Sequence, residues 1–220
     1  MNVEQIKVYR DLMGENDRWA RETRSLLRDQ GVCMLNLIGS PGSGKTSLLE
    51  KMVAPLQERL RFAVFEGDIE TTLDAQRMYA LNVPVCQLLS GGSCHLEAKL
   101  VHAALCDFDL RNIDVVFVEN VGNMVCPAEF DIGEHAKIAV LSVTEGEEKP
   151  LKYPLLYREA QAAVLTKTDL LAHLDTNLEA YRDHIREIHA GLPVFPVSSV
   201  SAEGLEGWLA WLFQYVEGAD

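Results

Sequence analysis

The chain lacks any long apolar run. Residues 1 to 27, MNVEQIKVYRDLMGENDRWARETRSLL, carry a charge every few positions, so neither a signal-peptide core nor a membrane span is expected, and the protein is placed in the cytoplasm. Bases are scarce too: 20 Lys and Arg stand against 33 Asp and Glu, a net charge of -13. Such a surface repels the phosphates of nucleic acid and anionic lipid, and neither partner is expected. Cys33, Cys86, Cys94, Cys106 and Cys126 are an odd number at uneven spacings. That excludes a disulfide framework and leaves ligand or reactive thiol as the special roles. No internal repeat or low-complexity linker divides the sequence. What is present, 220 residues with 48% apolar and 24% charged, suits one globular unit with a sizeable core.

Residues 2 to 29 are rich in helix formers, with Val3, Ile6, Trp19, Leu26 and Leu27 as apolar points. Gly14 and Asn16 predict a break between two helical pieces. Short apolar runs then recur at 32 to 39, 61 to 65, 84 to 89, 113 to 118, 137 to 143, 162 to 166 and 193 to 197, most of them separated by helical stretches. Strands buried on both faces read as continuously apolar, and their alternation with helices requires right-handed crossovers. The expected fold is α/β: a three-layer, doubly wound, mostly parallel sheet over 31 to 220, preceded by a helical segment over 1 to 30.

Between the first run and the first helical stretch stands GSPGSGKT, which fits GxxxxGK[ST]. Gly39, Gly42 and Gly44 let successive N–H groups turn inward around phosphate oxygens, with Ser43 and Ser47 in the same cradle and the following helix presenting its positive end. Lys45 would bridge the outer phosphates and Thr46 would hold Mg²⁺ through its hydroxyl. A P-loop nucleotide site is the reading.

The base is specified by Thr166-Lys167-Thr168-Asp169, one residue away from NKxD. Asp169 would accept the two donors of guanine's N1–H and amino group, which adenine does not offer, while the Lys167 stem covers the base. Thr166 stands where asparagine is usual, so one contact near the base or phosphate loop is weakened or re-made. Ser198, Ser199 and Val200, after the last run, would close the base pocket with backbone groups. Two acids at strand ends face the phosphates: Asp68 in FEGD and Glu119 in VFVENVG. Each would hold Mg²⁺ directly or through water, and Gly122 would sense the γ-phosphate through its N–H. Lys45, Asp68 and Glu119 are the candidate catalytic residues.

GSPGSGKT, EGD, ENVGNMVCPAEFDIGE, SVTEGEEKPLKYP and TKTD together resemble the hydrogenase nickel-incorporation GTPases, the HypB family, over about residues 31 to 216. ENVGNMVCPAEFD is the most specific piece. The resemblance implies a GTP-dependent metallochaperone that dimerises in its triphosphate state, helps deliver Ni²⁺ to the large subunit of nickel-iron hydrogenase and works with a small zinc- and nickel-binding HypA partner. It also assigns Cys94, His95 and Cys126 as ligands for Ni²⁺ or Zn²⁺, near a dimer interface. The residues are compatible with that: thiolates plus imidazole suit either metal, and Cys94-His95 follows Gly91-Gly92 at the start of a predicted helix, where a positive terminus lowers a thiol pKa. Cys33, Cys86 and Cys106 lie in apolar patterns and are read as core. Some family members carry an N-terminal CxxCGC site or histidine-rich tract; neither occurs before Cys33 here, and His173, His184 and His189 are too dispersed to replace one. Lys149 or Lys152 would reach across the dimer.

The competing readings are a urease-type nickel chaperone GTPase, a P-loop kinase of a small metabolite, and an adaptor that uses nucleotide only to dimerise. The first would be expected to carry a CPH motif where ENVGNMVCP stands, and the second needs a cluster of basic lid residues that is not evident.

Overall fold

The computed structural model describes residues 3–70 and 72–218, with side chains from residue 14 onward. The seven apolar runs form seven strands: β1 Cys33–Ile38, β2 Phe62–Asp68, β3 Val85–Leu89, β4 Val115–Glu119, β5 Ala136–Ser142, β6 Ala162–Thr166 and β7 Val194–Val197. They make one sheet in the order β3-β2-β4-β1-β5-β6-β7, and all of its strand pairings are parallel. "Mostly parallel" therefore becomes entirely parallel among the described residues.

Both faces are covered, and the period of two sorts the side chains between them. Cys33, Leu35, Leu37, Val115 and Phe117 enter one core, beneath helices α2 Lys45–Gln57, α3 Leu73–Ala80 and α9 Leu205–Glu217. Their neighbours Met34, Val116 and Val118 enter a second core with α4 Ala98–Asp107 and Leu27 of the N-terminal helix. Ile38, Ala139 and Leu165 enter a third, with the short helices α5 Cys126–Glu129 and α7 Pro154–Glu159 and with α8 Leu178–Ile188. One further turn of helix, α6 Lys149–Lys152, precedes α7.

The N-terminal segment differs from expectation: α1 runs unbroken from Val3 to Gln30. Gly14 lowers helix propensity without forcing a break, and Asn16 is not a local capping residue. Its Nδ2 donates to the Asp131 carbonyl (2.8 Å) and its Oδ1 accepts from the Ala98 amide (3.0 Å). Asn16 thus caps α4 from another helix. Arg24 adds a two-pronged pair with Asp131, both contacts 2.8 Å. The side chains of Val3 and Ile6 lie outside the described residues.

The chain leaves β1 toward β2 and β3, returns to β4, then continues outward on the other side through β5, β6 and β7. The direction of winding reverses at β1, and the crevice beyond the carboxyl ends of β4, β1 and β5 is where such sheets bind ligands. GSPGSGKT opens into that crevice.

Candidate functional site

The phosphate loop is shaped by close approach. A Cβ at Gly39 would lie 2.2 Å from the Val140 carbonyl oxygen of β5, so no other residue lets the loop leave β1 so near its neighbour. Gly44 takes φ 91° at the start of α2. Lys45, buried, turns back over the loop: its Nζ donates to the Gly39 and Ser40 carbonyls at 3.3 Å each and stands 3.9 Å from a Glu119 oxygen. Thr46 donates through Oγ1 to Glu119 Oε1 at 2.9 Å. A hydroxyl and a carboxylate in contact at the foot of a phosphate loop are hard oxygen donors of the kind Mg²⁺ takes. Glu119 Oε2 and Ser43 Oγ are buried with no protein partner, which also fits a ligand-binding role.

A cleft of about 530 Å³ joins this loop to Gly67, Asp68, Asp74, Gly122 and Lys167. Asp68 ends β2 and accepts from the Ile69 and Glu70 amides, which turns the chain away from the sheet. Two residues in or beside the cleft were not found from sequence. Glu66, 2% exposed, pairs in register with Glu119 on the next strand. Burial first and the Glu119 charge second push its carboxyl up to about 9, and burial lifts Glu119 to about 7 against the pull of Lys45. Arg77 of α3 lines the cleft but is committed to Glu50 (2.8 and 2.6 Å) and Asp74 (3.0 Å), with Ser47 Oγ at 3.4 Å.

At the far end, Lys167 adopts φ 59° and donates through Nζ to the Gly42 carbonyl at 2.7 Å. Asp169 is exposed, and its Oδ1 accepts from Ser198 Oγ at 2.6 Å. The buried Ser198 therefore orients the carboxylate expected to read the base. Ser199 and Val200 follow on the same loop, with Val200 80% exposed. Thr166, standing where asparagine is usual, donates through Oγ1 to the Ser43 carbonyl inside the phosphate loop.

Cys94, His95 and Cys126 come together. Their ligand atoms lie within 4.8 Å of one another, with Cys94 Sγ 2.8 Å from Cys126 Sγ and 3.8 Å from His95 Nδ1. The imidazole stacks on Phe130 at 3.8 Å between ring centres. Burial lowers its pKa, against the fields of Glu97 and Glu129, which favours the neutral form a metal requires.

One expectation fails here. Helix α4 begins at Ala98, where Asn16 caps it, so Cys94 and His95 sit in the preceding loop and not at a helix terminus. The cysteine that opens a helix is Cys126. Its thiol pKa is raised, first by the hydrogen bond with Cys94 and then by burial. The other cysteines also divide. Cys33 is core, its thiol pushed up to about 12 by burial, and Cys86 is half-buried on the edge strand. Cys106 is exposed, 3.5 Å from His102 Nε2. Val101 and Leu105 already fill the buried stripe of α4, and Cys106 falls one residue past it.

The Cys94–His95–Cys126 group and the phosphate loop are linked through the segment that follows Glu119. A Cβ at Gly122 would stand 2.8 Å from Pro41 Cγ. Asn123 next pairs with Gly39 as an antiparallel bridge, and its Nδ2 donates to the Cys94 carbonyl at 3.1 Å. Residues 33–196 match the profile described as the CobW/HypB/UreG nucleotide-binding domain. A hydrogenase maturation factor HypB from Azotobacter vinelandii is 47% identical over 94% of this chain and 68% of its own length. The chain belongs to the HypB family. Among solved HypB structures, that from Helicobacter pylori in complex with nickel superposes with a TM-score of 0.87 at 33% identity, covering 92% of this chain and 95% of the other. HypB from Archaeoglobus fulgidus gives 0.86 at 28% identity, covering 92% and 99%. This HypB chain contains, among its described residues, no helix long and apolar enough to cross a membrane.

Proposed function

We propose that this HypB chain is a slow GTPase of the cytoplasm that carries Ni²⁺ toward the large-subunit precursor of a nickel-iron hydrogenase. Gly39, Gly42, Ser43, Gly44, Lys45, Thr46 and Ser47 wrap the phosphates. Thr46, Asp68 and Glu119 hold Mg²⁺, which neutralises charge on the phosphates when bound. Lys167 and Asp169 read guanine, with Ser198, Ser199 and Val200 closing the base pocket. The cargo Ni²⁺ is held by Cys94, His95 and Cys126, a donor set that would also take Zn²⁺. A relative of this fold was solved in complex with nickel, which supports the cargo. The triphosphate state forms a homodimer, Lys149 or Lys152 reaches across it, and a HypA-type protein exchanges the metal.

The observation that carries this reading is the short loop from Glu119 to Cys126. Glu119 touches Thr46, Gly122 abuts Pro41, Asn123 joins Gly39 to Cys94, and Cys126 stands with Cys94 and His95 as a candidate ligand. A γ-phosphate that draws Gly122 inward must move one thiolate relative to the other two ligands. Nickel affinity should then differ between GDP and non-hydrolysable GTP-analogue states by about 5- to 150-fold, the usual range of such coupling. Calorimetric titration of Ni²⁺ into both states measures it, and Cys126→Ala should lose metal and coupling while still binding GTP. Equal nickel affinities in the two wild-type states would sink the mechanism.

A further inference from the structure

Beneath the metal cluster runs a chain of buried side chains that neither the nucleotide nor the metal reading uses. Asn36 is 0% exposed, Asn120 1%, Glu134 5% and Lys137 9%. Asn120 follows Glu119 directly. Its Oδ1 accepts from the Leu96 amide (3.3 Å), next to His95, and from the Val121 amide (3.0 Å). Two backbone donors at one end fix the amide's orientation, so Nδ2 points the other way and donates to Asn36 Oδ1 at 3.1 Å. Asn36 Nδ2 then donates to Glu134 Oε1 at 3.2 Å. Glu134 Oε2 accepts from the Ile132 amide (2.8 Å), and its Oε1 lies 3.8 Å from Lys137 Nζ. Lys137 Nζ donates to the Ala128 carbonyl at 2.6 Å, two residues beyond Cys126 in α5.

The chain thus starts on the Cys94–His95 loop, passes the residue after Glu119, crosses β1 and ends on the helix that Cys126 opens. Each link is buried, and breaking one strands a polar partner without water. We infer that Asn36, Asn120, Glu134 and Lys137 are positioning residues that fix the two metal-bearing segments relative to each other and to Glu119, from inside the sheet. This is a second route between the sites, independent of the surface contacts of Gly122 and Asn123. It rests on the reading of Cys94, His95 and Cys126 as the nickel site. A merely structural network would lower thermal stability and leave the metal's surroundings unaltered.

The test uses the full chain in its GDP·Mg²⁺ state with Ni²⁺ as the only added ligand. Asn36→Ala cuts the middle of the chain. The paired replacement Glu134→Gln/Lys137→Met cuts the end at Ala128 without leaving a buried charge unpaired. Each should weaken nickel by about tenfold, as loss of groups supporting metal ligands does, and should shift the thiolate-to-nickel charge-transfer band. GDP should still bind to both variants, since neither replaces a residue of the phosphate loop or the base motif. Folded variants that keep wild-type nickel affinity and an unshifted band overturn the inference, whatever their melting temperature. Should neither variant fold, hydrogen exchange on the wild type decides: nickel should slow the Val121 amide together with Leu96, and an unaffected Val121 overturns it. A wild type that binds no nickel removes the metal site itself, whereas variants matching a nickel-binding wild type remove only the network.

Discussion

Replacing Glu66 by glutamine should stabilise the metal-free and nucleotide-free protein, and by an amount that grows with pH. Glu66 is buried against Glu119, and desolvation is the largest cause of its raised pKa, 4.5 to about 9. Between those two values the folded protein keeps a proton that the unfolded chain has released. The unfolded state therefore binds fewer protons, so folding stability falls as pH rises through this window and is unaffected below it. At pH 7 the penalty is about 3 kcal/mol, taking about 1.4 kcal/mol per pH unit above 4.5. Glutamine has nearly the same shape and never ionises. For a domain of this size about 1 kcal/mol moves Tm by roughly 2–4 °C, so Glu66→Gln should melt roughly 6–12 °C above wild type at pH 7. The gap should close toward pH 4.5 and widen toward pH 8. Thermal unfolding followed by circular dichroism across pH 4.5 to 9 measures it. Melting curves of the two proteins that stay parallel over that range would refute a Glu66 that burial keeps protonated.

Asp169→Asn should erase the preference for GTP and GDP over ATP and ADP, because the carboxylate that pairs with two guanine donors is gone; competition binding with labelled GDP reads the ratio, and an unchanged preference removes Asp169 as base reader. Thr166→Val removes the donor to the Ser43 carbonyl at nearly constant shape, so it should cost about 1–3 kcal/mol of stability and weaken GTP binding, while Thr166→Ser keeps both. Lys45→Ala should abolish hydrolysis, against a wild-type turnover on the order of 10⁻⁴ to 10⁻² s⁻¹, since Arg77 is tied to Glu50 and Asp74 and unassisted GTPases lie in that range. Sedimentation with Mg²⁺ and a GTP analogue should show a monomer passing to a dimer, and an unchanged sedimentation coefficient would end the nucleotide-switch reading.

The sheet was legible because its central strands are buried on both faces. Runs such as CMLNLI and AKIAVLS are buried throughout, so continuous apolarity was a faithful signal and strand ends fell within a few residues. The N-terminal helix was misjudged for an opposite reason. Gly14 and Asn16 look like breakers by local propensity, yet Asn16 is used at long range, on Ala98 and Asp131, and tertiary contacts override a weak local preference. That contact also sets where α4 begins, and so why Cys94 and His95 precede the helix. The phosphate loop and the base motif were legible because each packs several constrained residue types into one short segment.

Glu66, by contrast, stands in FEGD beside a better-looking acid, and nothing local ranks it above Asp68. The register of β2 on β4 does, by setting Glu66 opposite Glu119. Asn36 is the same problem in sharper form. It is the polar residue in an otherwise apolar strand, and a buried amide must find partners, so the sequence already demands that something answer it. It cannot say what, because the answers lie 84 and 98 residues away, at Asn120 and Glu134. The parallel pairing of β1 with β4, which ends at Glu119 just before Asn120, and with β5, which sets Asn36 beside Lys137, names them. A slip of one residue in that pairing would turn every side chain of β1 to the opposite face, carrying Asn36 away from Asn120 and Glu134. The hydrophobic alternation that fixes the register therefore also fixes the polar chain beneath the metal site, so a core residue's choice of face bears on how tightly the two metal-bearing segments are held.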